Sequence, residues 1–219
     1  MQSYVLRYFT QNLDTNTYKC IYIAADAFNI GEIAKRALAA LNVEVPYSGA
    51  SAIRKLQQTI IKLNREKALK PLLIIDEIQE LPTSTLVSLK NLLNYNMDSE
   101  ILLFFILCGQ NSIYEKLGYP QLEALSRRIR IRYTLRPLSV EETGHYISHQ
   151  MKVCGVEQSL FSDDTKAATF QQSKGILSEV NALCFELLIY AAAQSKQIVE
   201  PSMLEIVLHN RRGSSQRHE

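Results

Sequence analysis

Leu72 to Glu77 reads LLIIDE, an unbroken apolar run that ends in two carboxylates, and no other stretch constrains the chain as strongly. A strand with one face in water alternates apolar and polar residues. One that is apolar at every position is buried on both faces, as in a parallel sheet covered by helices. The two acids then fall at the C-terminal end of the strand, where open α/β sheets place their ligands. Adjacent carboxylates there suit phosphoryl transfer, which needs a metal charge and a positioned nucleophile. Asp76 is the candidate for orienting Mg2+ on a nucleotide, and Glu77 for activating a water. A bare apolar run ending in Asp-Glu is also what a buried strand entering an acidic loop shows, so the flanking sequence has to decide.

Apolar residues at helical spacing (Val5, Leu6, Phe9, Leu13) predict a helix from about Ser3, with Ser3 as its N-cap. Tyr18 to Ala24 is short, β-branched and aromatic, as a strand is. Helical period returns over 30–41 and 51–67, and again through Leu86, Leu89, Leu92 and Leu93. Ile101 to Cys108 is a second fully apolar strand, stopping at Gly109. Ile129 to Leu135 alternates apolar residues with Arg130, Arg132 and Thr134, which predicts a half-exposed edge strand. Strands alternating with helices give an α/β fold with a parallel sheet. After Pro137 only helical signals remain: Ser139 and Glu142 form a capping box, Ser162 starts another helix, and 179–193 and 201–208 follow. The expected division is an α/β base over 1–137, an all-α lid over 138–210 and a flexible polar tail over 211–219.

Composition excludes more than it selects. With 219 residues and 47% hydrophobic content, the chain can bury one two-part domain or two small ones. A net charge of +2 is far from the basic excess that announces nucleic-acid binding. With no Trp and no interleaving of basic and aromatic residues, any DNA contact is expected through backbone charge. Four scattered cysteines without a CxxC pair suggest neither zinc nor disulfides. His145 and His149, four apart without an evident third ligand, read as a surface pair. The opening segment lacks the pattern of an export signal, and the longest apolar run, Ile101 to Cys108, is too short to span a bilayer. A soluble cytoplasmic protein with no membrane partner is expected.

IIDEIQEL, a Leu-rich helix ending NYNMDS, ILLFFILCGQ, LEALSRRIRIRYTLRPLSVEET and KGILSEVNALC occur in one order. In that order they resemble the AAA+ P-loop ATPases of the ExeA secretion type and the TniB transposon-helper type, over nearly the whole chain. The resemblance implies a P-loop parallel sheet flanked by helices, a small helical lid, and ATP with Mg2+ as cofactors. It makes Gln110 the sensor-1 group facing the γ-phosphate; by itself GQN also reads as a strand-ending turn. It makes Arg128 the arginine finger that reaches a neighbouring subunit's nucleotide, with Arg127 the adjacent alternative, and hence implies a homo-oligomer. Without it, the arginines from 127 to 136 read as a solvated basic face.

Two departures accompany the match. The family's helix at Ser3 follows a strand and a phosphate-cradling loop ending Gly-Lys-Ser/Thr. The sequence given opens Met1-Gln2-Ser3, with Ser3 in the position of the Mg2+-binding hydroxyl and Gln2 where the lysine belongs. The expectation is a sheet lacking its first strand, central in the family's 5-1-4-3-2 order. ILLFFILC is then one neighbour short, and the chain as given is expected to bind no ATP analogue. In the lid, Gly175, Ile176, Leu177 and Ser178 stand where the family has Gly-x-Pro-Arg, with Lys174 alongside. The expected function is an ATPase serving as regulatory helper in DNA transposition or a related mobile-element process, with a transposase or other mobile-element protein and double-stranded DNA as partners. The alternatives are a nucleotide-binding-defective remnant or interaction module of the same fold, and a secretion-assembly ATPase.

Overall fold

The structure, a computed structural model, describes residues 2–93, 100–156 and 158–215, without the side chains of 2–4 and 212–215. The NYNMDS segment, 94–99, lies outside the described residues. The chain divides into two compact units, Gln2–Thr134 and the part from Leu135 onward.

The first unit is built on a parallel sheet of β1 (Tyr18–Ala24), β2 (Lys70–Asp76) and β3 (Phe104–Leu107), in the order β1-β2-β3. Its helices are α1 (Gln2–Asn12), α2 (Ile30–Ala40), α3 (Gly49–Lys67), α4 (Thr83–Leu92) and the short α5 (Ile113–Leu117) and α6 (Glu123–Ser126). β2 is central, and every one of its residues after Lys70 is buried, as its unbroken apolar run demands. Leu73 and Ile75 pack into a large core with Ile33, Leu56, Ile60, Leu86 and Leu89. On the opposite face Leu72 and Ile74 meet Leu6 of α1. The helices α2 and α3 are started by Asn29 and Ser48, whose side chains accept the amides of Glu32 and Ser51. Ser3 is not a cap, because α1 is already helical at Gln2.

Two strand expectations are corrected. β3 takes only Phe104–Leu107 of the apolar run, while Leu102 and Leu103 are buried outside the ladder. Residues 129–135 form no strand at all, and Ile131 and Tyr133 are 86% and 76% exposed. A strand needs a partner for its amides and carbonyls. Among the described residues none of the three strands of the sheet pairs with this segment. Among the described residues β3 likewise pairs with β2 alone.

The second unit contains α7 (Val140–Val153), α8 (Asp163–Ser173), α9 (Leu177–Ala193) and α10 (Pro201–Ser215) around Ile147, Phe161, Val180, Leu183, Leu187, Val199 and Leu204. The capping box forms as read: Ser139 Oγ accepts the Glu142 amide at 3.2 Å and Glu142 accepts the Ser139 amide at 2.8 Å. Ser162 caps α8 through the Thr165 amide. The tail expected to be flexible is helical as far as Ser215, and 216–219 lie outside the described residues. Arg211 anchors this part of α10, its Nε donating to Glu186 of α9 at 2.6 Å, with Glu179 at 3.5 Å. At Gly175, φ is +73° and an added Cβ would stand 2.0 Å from the Leu138 carbonyl oxygen. Backbone proximity thus gives this glycine a structural reason of its own. Among the described residues no helix is long and apolar enough to cross a membrane.

Candidate functional site

The strands are parallel, and the register pairs Ala24 with Asp76 and Ile75 with Leu107, so they end together. Asp76 is the last residue of β2 and only 2% exposed. A buried carboxylate needs donors, and among the described residues two reach it. Tyr22 Oη donates to Asp76 Oδ2 at 3.0 Å, and the Glu77 amide donates to Oδ1 at 3.0 Å. Burial, then the hydrogen bond to Asp76, pushes the Tyr22 phenol up. The Cys108 thiol is pushed up to about 11, first by burial and then by the charge of Asp76. Both groups therefore keep their protons at neutral pH, and Tyr22 remains a donor.

At Glu77 the backbone leaves the strand. Cys108 N–H donates to the Ile75 carbonyl and Ile78 N–H to the Cys108 carbonyl, both at 2.9 Å, so the pairing passes over Asp76 and Glu77. To rejoin it at Ile78 the chain takes Glu77 through φ 54° and ψ 40°, the left-handed region, and enters a 3-10 turn over Ile78–Glu80. For a residue other than glycine that conformation costs about 1 to 3 kcal/mol. Ile78, buried in the core, holds the turn in place. The result is a buried acid followed by a half-buried one on a left-handed backbone.

Gln79 joins these parts. Its Nε2 donates to Glu77 Oε2 at 2.6 Å, and its Oε1 accepts the Gln110 amide at 3.0 Å. Its own carbonyl accepts Lys116 Nζ of α5. Gly109 makes room for it, because a Cβ there would lie 2.6 Å from Gln79 Oε1 and 2.7 Å from Ile78 Cγ2. Asp76, Glu77 and the main chain of Gln110 are thus gathered at one site, with the Gln110 side chain exposed. Tyr22, Gln79, Cys108 and Lys116 were missed by sequence reasoning. Gln79 lies inside IIDEIQEL, so an amide two residues past the second acid was the available signal.

Arg128 follows α6, its amide donating to the Leu125 carbonyl at 3.0 Å, while the guanidinium of Arg127 pairs with Glu123. Ser3 lies in the first turn of α1, and its side chain is outside the described residues. Lys174, in the second unit, is the left-handed C-cap of α8. Among the described residues no group of three or more His, Cys, Asp or Glu gathers around a point. Mg2+ does not need one, because it is commonly held by one or two carboxylates with phosphates and water. Each Asp76 oxygen accepts one hydrogen bond and retains a lone pair, so the acid fits that use.

Residues 2–117, more than half of the chain, match the family described as AAA domain. The chain belongs to this family. The AAA domain chain is 29% identical over 154 residues to the general secretion pathway protein A of Aeromonas hydrophila, a match covering 69% of this chain and 28% of that protein. The chain therefore spans less than a third of the curated relative it matches. Its fold is similar to Cdc6p from Pyrobaculum aerophilum, with TM-score 0.66, 15% identity, and 92% of this chain and 54% of the other covered. It is also similar to the Aeropyrum pernix ORC2 protein in its ADPNP-ADP complexes, with TM-score 0.63, 12% identity, and 94% and 55% covered. The Thermotoga maritima RuvB Holliday junction branch migration motor gives TM-score 0.52 at 13% identity, with 95% and 69% covered. At these identities the likeness is one of fold.

Proposed function

We propose that this AAA domain, when joined to a phosphate-cradling loop ahead of α1, binds Mg2+-ATP at the C-terminal ends of β1, β2 and β3 and hydrolyses it. The observation that carries the reading is the pair of unlike acids at the end of a buried parallel strand. In the proposed division of labour Asp76, buried and fixed by two donors, holds the metal, with the Ser3 hydroxyl as its companion. Glu77, held clear of the strand, accepts the proton of the attacking water. Gln110 faces the γ-phosphate, and Arg128 supplies charge to the nucleotide of an adjacent copy. Bound Mg2+ neutralises phosphate charge, and the protein contributes position and a proton acceptor.

Between the two client processes, the 29% identity with general secretion pathway protein A favours ATP-driven assembly in secretion. A helper role in transposition, with a transposase and the DNA backbone as partners, is supported by motif order. The test uses the chain together with whatever its reading frame encodes ahead of Met1, beside the chain as given, titrated with a fluorescent ATP analogue and Mg2+. Asp76→Ala is expected to abolish Mg2+-dependent binding, and Glu77→Gln to keep binding while ending turnover. Binding and turnover indifferent to both substitutions would end the reading.

A further inference from the structure

We infer that Gln79 is a positioning residue that ties the Glu77 carboxylate to the strand-end loop carrying Gln110, so that neither moves independently of the other. The inference rests on the proposed ATPase reading for its consequence, though not for its geometry. An ionised carboxylate accepts hydrogen bonds and a backbone N–H donates them, so a side chain bridging the two must donate to the first and accept from the second, which neither a carboxylate nor an ammonium can do. A side-chain amide can join them, with its NH2 to the acid and its oxygen to the N–H. Gln79 is placed in this way, at 2.6 Å and 3.0 Å, and its two partners fix which end of the amide is nitrogen.

Three further features hold the linker itself. Lys116 Nζ donates to its carbonyl from α5. The buried Ile78 beside it anchors the turn by donating its amide to Cys108. Gly109 has no Cβ where one would overlap the amide oxygen. The same turn forces Glu77 into the left-handed region, so the acid's backbone is fixed by Ile78 and its carboxylate by Gln79. A change at the loop of Gln110 therefore reaches Glu77 through one side chain.

The test begins with 1H–15N spectra of the 219-residue chain. Glu77→Gln is expected to shift the Gln79 side-chain amide pair and the Gln110 backbone amide, and Gln79→Leu to shift the Gln110 amide. Gln110 and Gln79 resonances that stay put in Glu77→Gln would overturn the tie. Gln79→Glu guards against a fold defect in the leucine variant, because it keeps the shape and the acceptor for Gln110 while removing the donor to Glu77. In the form that turns over ATP, Gln79→Glu and Gln79→Leu are both expected to lower kcat by about tenfold, the scale of outer-shell substitutions. KM is expected to stay within about twofold, since ground-state binding is not the interaction removed. A full kcat in Gln79→Glu would overturn the positioning role. Should Asp76→Ala and Glu77→Gln leave nucleotide handling unchanged, the ATPase reading falls, whereas the spectra still decide whether the tie exists.

Discussion

Asp76 and Glu77 are adjacent in sequence and opposite in setting. One is buried with two donors on its oxygens, the other is lifted out by a left-handed backbone and bonded by Gln79. If Glu77 takes the water's proton, Glu77→Gln lowers kcat by about 10^2- to 10^4-fold, the usual contribution of a general base, with nucleotide binding retained. Single-turnover hydrolysis checks this. The thiols allow a test that needs no nucleotide. Cys154 is exposed, while burial raises Cys20, takes Cys108 to about 11 and takes Cys184 to about 12. Only the thiolate attacks a disulfide reagent. At pH 8 one thiol, Cys154, is expected to react quickly and the others on unfolding; a second fast thiol in the folded chain would contradict the burial described. At this scale the acids were legible because an apolar run delivers them. The role of Gln79 was not, because its second partner, Gln110, is 31 positions away and only the fold brings it close.

Elements were legible where their signals are local. The capping box of α7 lies within four residues of sequence and forms as read. The expected strand at 129–135 had a correct alternation and no ladder to join, because strand formation depends on a partner as well as on pattern. The helical course of α10 as far as Ser215 was not legible for a related reason: its polar residues include Arg211, whose partners Glu186 and Glu179 belong to α9. The α7 cap makes a pH prediction. Hydrogen bonds from the Arg136 guanidinium and then from the Ser139 amide hold the Glu142 carboxyl at about 2, against 4.5 ordinarily. The folded value is the lower one, so the stabilisation is present in full above about pH 4.5 and drains away as pH falls towards 2. Melting temperatures of the parent chain and Glu142→Gln should differ at pH 7 and converge by pH 2. A gap that stays constant across that range would remove Glu142 from the cap's energetics.

Among the described residues, deeply buried side chains cluster on both faces of β2 in the first unit and around Leu183 and Leu187 in the second. Leu187→Ala should cost about 2 to 5 kcal/mol, as Leu-to-Ala changes in packed cores do. Native-state hydrogen exchange is expected to register that loss in the amides of α7 to α10 while those of β2 keep their protection. Equal loss in both units would mean that they open together. The parallel sheet also sets a timetable for synthesis. Tyr18 pairs with Lys70, 52 positions later (70 minus 18), and Leu72 with Phe104, 32 later (104 minus 72). A nascent chain leaving the ribosome therefore carries β1 as an unmatched ribbon until α2, α3 and β2 have all emerged, and the strand ends around Asp76 are complete only after β3 follows. Throughout that interval Ile21 and Ile23 are without the packing they have in the finished protein, so the early chain is the stage at which a chaperone would have most to shield.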